Sequence, residues 1–117
     1  QNGRIERENR FLLDQTRTLL NGAKLDLYLW PEAAYTATYI SNRCITSNKD
    51  KTPYEVWFGK KPSVKNLRIF GQHASVLKQD HLRSKFEPKG TLMYFIGYTD
   101  CFNTYKFFDP VTKRVVY

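Results

Sequence analysis

Apolar residues recur at three- and four-residue steps through the first twenty positions: Ile5, Leu12, Leu13, Thr16, Leu19 and Leu20. That period predicts one amphipathic helix over about residues 3–20. Asn21-Gly22 should stop it, since glycine supplies left-handed capping geometry at low cost. A second helix is expected over about residues 27–44, where Trp30, Ala33, Ala34, Ala37, Ile40 and Cys44 share a face. Pro31 must lie in its first turns, because in mid-helix it would cost about 3 kcal/mol. Small alanines on that face imply close approach to another element, most simply the first helix. A third, short helix is signalled by Thr52 as cap, Pro53 at the first helical position and Glu55 three residues after the cap. Gly59 ends it and Pro62 forbids its continuation.

From Leu67 the period changes. LRIFGQHASVLK, LMYFIGYTD, TYKFFD and KRVVY are short, β-branched and aromatic runs separated by turn signals. Asp109-Pro110-Val111-Thr112 predicts a tight hairpin. Four or five such strands in about fifty residues suit a small, strongly bent barrel better than a flat sheet. Tyr94, Phe95, Tyr98, Tyr105, Phe107 and Phe108 read as its core before they read as a base-stacking platform. Trp57, Phe58 and Phe70 read as packing that docks the short helix on the barrel. The fold class is α+β.

Charge adds a partner. The chain of 117 residues carries a formal net charge of +8, which favours an anionic partner, nucleic acid before an acidic membrane. Ten basic residues face seven acidic ones up to Lys61, and nine face four beyond it, so the strand-rich half is the more basic. Cys44 and Cys101 form no C-x-x-C pair and are expected to be reduced and buried, as in an intracellular protein. His73 and His81 lack the spacing of a helical metal pair and read as structural or exposed. No apolar run approaches the roughly 18 residues of a membrane span, and no membrane partner is expected. A first residue other than Met, without a signal-peptide pattern, suggests a piece of something longer.

Several stretches, in order along the chain, resemble the integrase of copia-type retrotransposons, carried in a retrovirus-like Pol polyprotein. They are QNGRIERENR at the start, LW-EA-Y-A-Y-NR from Leu29 to Arg43, TPYEVWFGKKP, LRIFG, FIGY and the closing YKFFDPVTKRVV. The resemblance implies helices from the end of an RNase H-like catalytic core over 1–50, a linker with a short helix over 51–66, and an SH3-like β-barrel over 67–117. It implies a parent that processes cDNA ends and joins them to target DNA. Such a parent would use Mg²⁺ or Mn²⁺, act as a homo-oligomer, and move between a cytoplasmic particle and the nucleus.

The resemblance also makes Glu6 the catalytic and metal-binding glutamate of a triad. Its two aspartates would lie upstream of Gln1, and a zinc-binding His/Cys segment before them; no cofactor is therefore expected in this chain alone, which should be inactive. Read locally, Glu6 is a helix-start carboxylate that favours the macrodipole and pairs with Arg10. Glu8, offset by two positions, reads as a solvated partner of nearby arginines. The DNA-contacting candidates are Arg4, Arg7, Asn9 and Arg10 on the first helix. To these the resemblance adds Lys78, Arg83, Lys85 and Lys89 in the loop around QDHLRSKFEPKG, and Lys113 and Arg114 at the last hairpin. The alternative function is a non-catalytic nucleic-acid-binding or assembly module from a decayed element, and beyond that a scaffold whose charge serves solubility. A truncated core should also leave apolar helix faces exposed.

Overall fold

The first helix, α1, runs over Asn2–Ala23 and so passes through the Asn21-Gly22 signal. Its end is set one turn later by backbone geometry: Lys24 takes a left-handed conformation at φ 56°. The N–H of Lys24 then donates to Asn21 O and that of Leu25 to Leu20 O, both at 3.3 Å. This is the paired pattern that closes helices, with lysine where glycine is usual. Here a computed structural model is the source of the coordinates, and it describes residues 2–45, 50–77, 90–99 and 104–117.

A single 3-10 turn at Leu27–Leu29 leads into α2 over Trp30–Ser41, with Pro31 in its first turn as the sequence requires. α2 ends before Cys44, which is exposed, contrary to the expectation of a buried thiol. Two turn residues, stitched by Asn42 N–H to Thr38 O at 3.0 Å and Arg43 N–H to Ile40 O at 3.0 Å, carry the chain off the helix before Cys44 can reach its buried face. Trp30 is exposed too. Ala33 and Ala37 are the residues of that face with no appreciable exposure.

The short helix α3 spans Pro53–Phe58, and Thr52 accepts from the Glu55 N–H at 3.1 Å while Gly59 closes its end. None of its residues is buried. Trp57 at 83% and Phe58 at 59% exposure do not dock this helix on the sheet. Six residues make too few turns to turn both rings inward, and the helix is tied down instead through Tyr54. Its N–H donates to Asn42 O at 2.8 Å and its ring lies under the Arg43 guanidinium at 4.8 Å.

Four strands follow: β1 at His73–Leu77, β2 at Gly90–Tyr98, β3 at Tyr105–Asp109 and β4 at Arg114–Val116. They form one antiparallel four-stranded meander in that order, where the pattern called for four or five strands in a small, strongly bent barrel. β1 is shorter than the LRIFGQHASVLK run because the chain turns at Phe70-Gly71. Gly71 sits at φ 83°, and a Cβ there would overlap the Ala23 Cβ at the end of α1. A side chain at position 71 would therefore push the helix off the sheet. Pairing resumes at once, with Gly71 N–H to Phe95 O at 2.7 Å and Phe95 N–H to Gln72 O at 2.9 Å.

Helices and sheet share one core. Leu20 of α1, Leu29 and Ala33 around α2, and Phe70, Ile96 and Phe108 of the strand-rich half form a single buried cluster. The alanines of α2 thus serve two neighbours, since α2 packs against β2 as well as α1. The far half of α1 has no such cover: residues 2–11 are all exposed, including Ile5 and Phe11.

Candidate nucleic-acid interface

The first turns of α1 hold five of the candidate residues. Glu6, Asn9 and Arg10 lie three and four positions apart, hence on one face, and every one of them is exposed. Among the described residues Glu6 has no ion pair, so the pairing with Arg10 that the spacing allows is not made. Glu8 takes the arginine instead, at 3.5 Å from Arg4. Arg7 Nε donates to the Gly3 carbonyl at 3.3 Å, and Arg17 is held by Asp14 at 3.5 Å. Arg10 is left with its guanidinium free of acidic partners among the described residues. A carboxylate and an arginine thus stand side by side in open solvent, on a rigid helix.

Lys113 and Arg114 stand elsewhere. Lys113 closes the β3–β4 hairpin at φ 60°, its N–H donating to Asp109 O at 2.8 Å. Its ammonium lies 3.8 Å from the Asp26 carboxylate and 5.9 Å from the centre of the Phe108 ring. Asp26 follows the C-terminal end of α1. At 1.5 Å per residue, the Glu6 cluster is therefore roughly 25 Å away along the helix. The structure does not bring the two basic groups together. Lys78, Arg83, Lys85 and Lys89 lie outside the described residues.

Other cations that the motifs contain are consumed by the fold. Arg43 stacks on Tyr39 at 3.4 Å and donates to the Tyr39 carbonyl at 3.0 Å. Tyr39 in turn stacks flat on Tyr98, with ring centres 4.0 Å apart. The Tyr98 hydroxyl accepts from Arg68 N–H at 3.0 Å and donates to Arg68 O at 3.3 Å. Burial pushes that hydroxyl above the ordinary tyrosine value, and the Arg68 N–H offsets the rise only in part. Asn66 donates to the Tyr39 hydroxyl at 3.1 Å and receives Tyr105 on its carbonyl at 3.0 Å. The stretches AYTATYISNR, TPYEVWF, LRIFG and FIGY therefore meet in one tyrosine-rich seam that joins α2, the linker and the sheet. The stretches that carry the family resemblance do structural work here.

Lys106 is a half-buried cation that the sequence pattern does not single out. It reaches from β3 to Glu32 of α2 at 3.2 Å and sits over the Tyr35 ring at 4.6 Å. Its place in the strand run YKFFD, inside an otherwise apolar stretch, was the available signal.

Among the described residues no three His, Cys, Asp or Glu side chains gather as metal ligands. Glu6 has Glu8 as its acidic neighbour on the helix, and that carboxylate is engaged by Arg4. The residues present do not by themselves fit a two-metal centre. No helix among the described residues is long and apolar enough to cross a membrane.

Residues 72–117 match the retroviral polymerase SH3-like domain family. Over most of its length the chain is similar to the Pol polyproteins of copia-type retrotransposons. The chain is 36% identical over 98% of its length to the retrovirus-related Pol polyprotein from transposon TNT 1-94 of Nicotiana tabacum, covering 9% of that protein. Those from transposons RE2 and RE1 of Arabidopsis thaliana are 31% and 29% identical over 84% and 97% of the chain, which covers 7% and 8% of them. The chain thus spans less than a tenth of the length of the curated relatives it matches. No solved structure matches it.

Proposed function

We propose that this segment belongs to the integrase part of its polyprotein, supplying a catalytic glutamate, Glu6, and a DNA-binding surface. The whole protein would process cDNA ends and join them to target DNA by metal-dependent phosphoryl transfer, as a homo-oligomer. The observation that carries this reading is Glu6 itself: an exposed, unpaired carboxylate in the first turns of a rigid helix, flanked on its own face by Asn9 and Arg10. Mg²⁺ or Mn²⁺ would stabilise the attacking and leaving oxygens of the phosphodiester, and such ions prefer carboxylate oxygen. Glu6 would hold one such ion only together with carboxylates from elsewhere in the polyprotein, so the isolated chain has no turnover of its own. Arg10, with Arg4 and Arg7, would engage phosphates and position the strand without reading its sequence.

The test is Glu6→Gln in the complete integrase region, assayed for end processing and strand transfer with Mg²⁺ or Mn²⁺. Loss of both activities with DNA binding retained supports the assignment. Undiminished activity removes it and leaves a nucleic-acid-binding or assembly module.

A further inference from the structure

Lys24 and Lys113 are the only non-glycine residues at positive φ among the described residues, at 56° and 60°. They come from segments nearly ninety positions apart, yet both line one cleft of about 340 Å³, together with Asp26, His73, Tyr94, Phe108 and Pro110. At each position the backbone favours glycine, and a lysine there is disfavoured by left-handed strain. The left-handed turn at Lys24 caps α1 and that at Lys113 closes the β3–β4 hairpin, and the two turns together bring both lysines to one concave site. The cleft walls are aromatic: His73 and Tyr94 meet edge to face at 4.9 Å, and Phe108 closes the floor at 3% exposure. Lys24 has no acidic partner among the described residues. Lys113 has Asp26 at 3.8 Å, an exposed pair of the kind that an incoming anion displaces at little cost.

We propose that this cleft holds one nucleotide of an unpaired nucleic-acid strand, its phosphate met by Lys24 and Lys113 and its base against the Tyr94–His73 wall. The inference rests on the nucleic-acid-binding reading above and adds a site separate from the Glu6 face. The volume is at the lower end of small-ligand sites, enough for one nucleotide and too small for a duplex. Cations that follow the backbone beside rings that accept a base are the recognition chemistry of single strands, and it tolerates any base. A base stacked inside a duplex cannot reach the wall.

The experiment compares the 117-residue chain with K24G/K113G and K24Q/K113Q for binding to a short oligothymidylate and to a duplex of equal length, across a salt titration. The wild type should prefer the single strand. Both double variants should lose affinity for the single strand at low salt, with a salt dependence shallower by about 0.7 log units per lysine removed. K24G/K113G should also melt no lower than the wild type, because glycine relieves both left-handed positions; this separates lost binding from lost folding. Equal binding of duplex and single strand overturns the proposal. So does unchanged affinity in both variants, and if R7Q/R10Q is then the weakened chain, the broader reading survives on the α1 face. No binding to either nucleic acid at low salt overturns both.

Discussion

Thr36 Oγ1 donates a 3.1 Å hydrogen bond to the Ile96 carbonyl, and the next residue, Gly97, is where α2 comes closest to the sheet. A Cβ on Gly97 would lie 2.8 Å from that hydroxyl oxygen, and its φ of 149° is one that side chains rarely adopt. The register between β2 and β3 shifts at the same point, between Phe95 and Gly97. One glycine thus permits both the bend of the sheet and the seating of the helix.

Gly97→Ala is therefore expected to destabilise the chain by about 1–3 kcal/mol, through overpacking and backbone strain together. Thr36→Ala should cost about 1–3 kcal/mol by leaving the buried Ile96 carbonyl unpaired. Combined, the two should cost less than their sum, because removing the hydroxyl makes room for the methyl. Urea unfolding of the four chains gives the coupling. Strict additivity would show that helix and sheet do not meet at this point.

The ion pair between Lys106 and Glu32 is the second tie between α2 and the sheet. Its side chains keep only 16% and 25% of their exposure, so each charge depends on the other. Lys106→Met alone should cost about 2 kcal/mol or more, since it strands Glu32 in a half-buried position. Adding Glu32→Leu should recover most of that loss, because apolar replacement of both partners is often nearly neutral. Denaturant midpoints of the single and double variants decide it. A double variant weaker than Lys106→Met would mean that the pair is worth more than its packing.

These ties mark the limit of what the sequence made legible. The helical and strand periods, the Thr52 cap, Pro31, Pro53 and the Asp109 hairpin are local signals; each element appears, although the ends of α1, α2 and β1 shift from where the pattern puts them. The junctions between elements are not local. Helix α1 overruns Asn21-Gly22 because Lys24 tolerates the left-handed turn, and propensity alone would have put glycine there. Lys106 reads as an ordinary strand lysine until Glu32, seventy-four positions earlier, is seen to face it. Trp57 and Phe58 read as packing because large rings usually are, but a six-residue helix has no second turn to bury them. At the Glu6 face the sequence supplied the spacing. Which arginine Glu8 would capture, and so which carboxylate is left free, required side-chain geometry.

Asp109 gives the fold a pH-dependent element. Its carboxylate accepts from the Val111 N–H at 2.9 Å and, less directly, from Thr112 at 3.4 Å, and these bonds hold its pKa below the usual carboxylate value. A lowered folded value means that the contribution is complete above the unfolded aspartate value of about 3.9. It is lost as pH falls below that, through the lowered folded value. Asp109→Asn keeps the shape and an acceptor oxygen but not the charge. It should melt below the wild type at neutral pH, and the gap should close under acid. Thermal melts of both chains from pH 7 downward check this. A gap constant with pH would place the effect in shape rather than charge.

Glu6 allows fold and function to be separated in one substitution. The residue is exposed, sits where α1 has no neighbour, and has no ion pair among the described residues. Surface changes of that kind stay within about 0.5 kcal/mol. Glu6→Gln should therefore leave the melting temperature and unfolding midpoint of this chain unchanged, while Glu8→Gln removes only the exposed contact with Arg4. A loss of stability in Glu6→Gln beyond that range would make Glu6 a structural residue of the helix start. A silent substitution, set beside a complete loss of strand transfer in the whole integrase, would leave its carboxylate no role but chemistry.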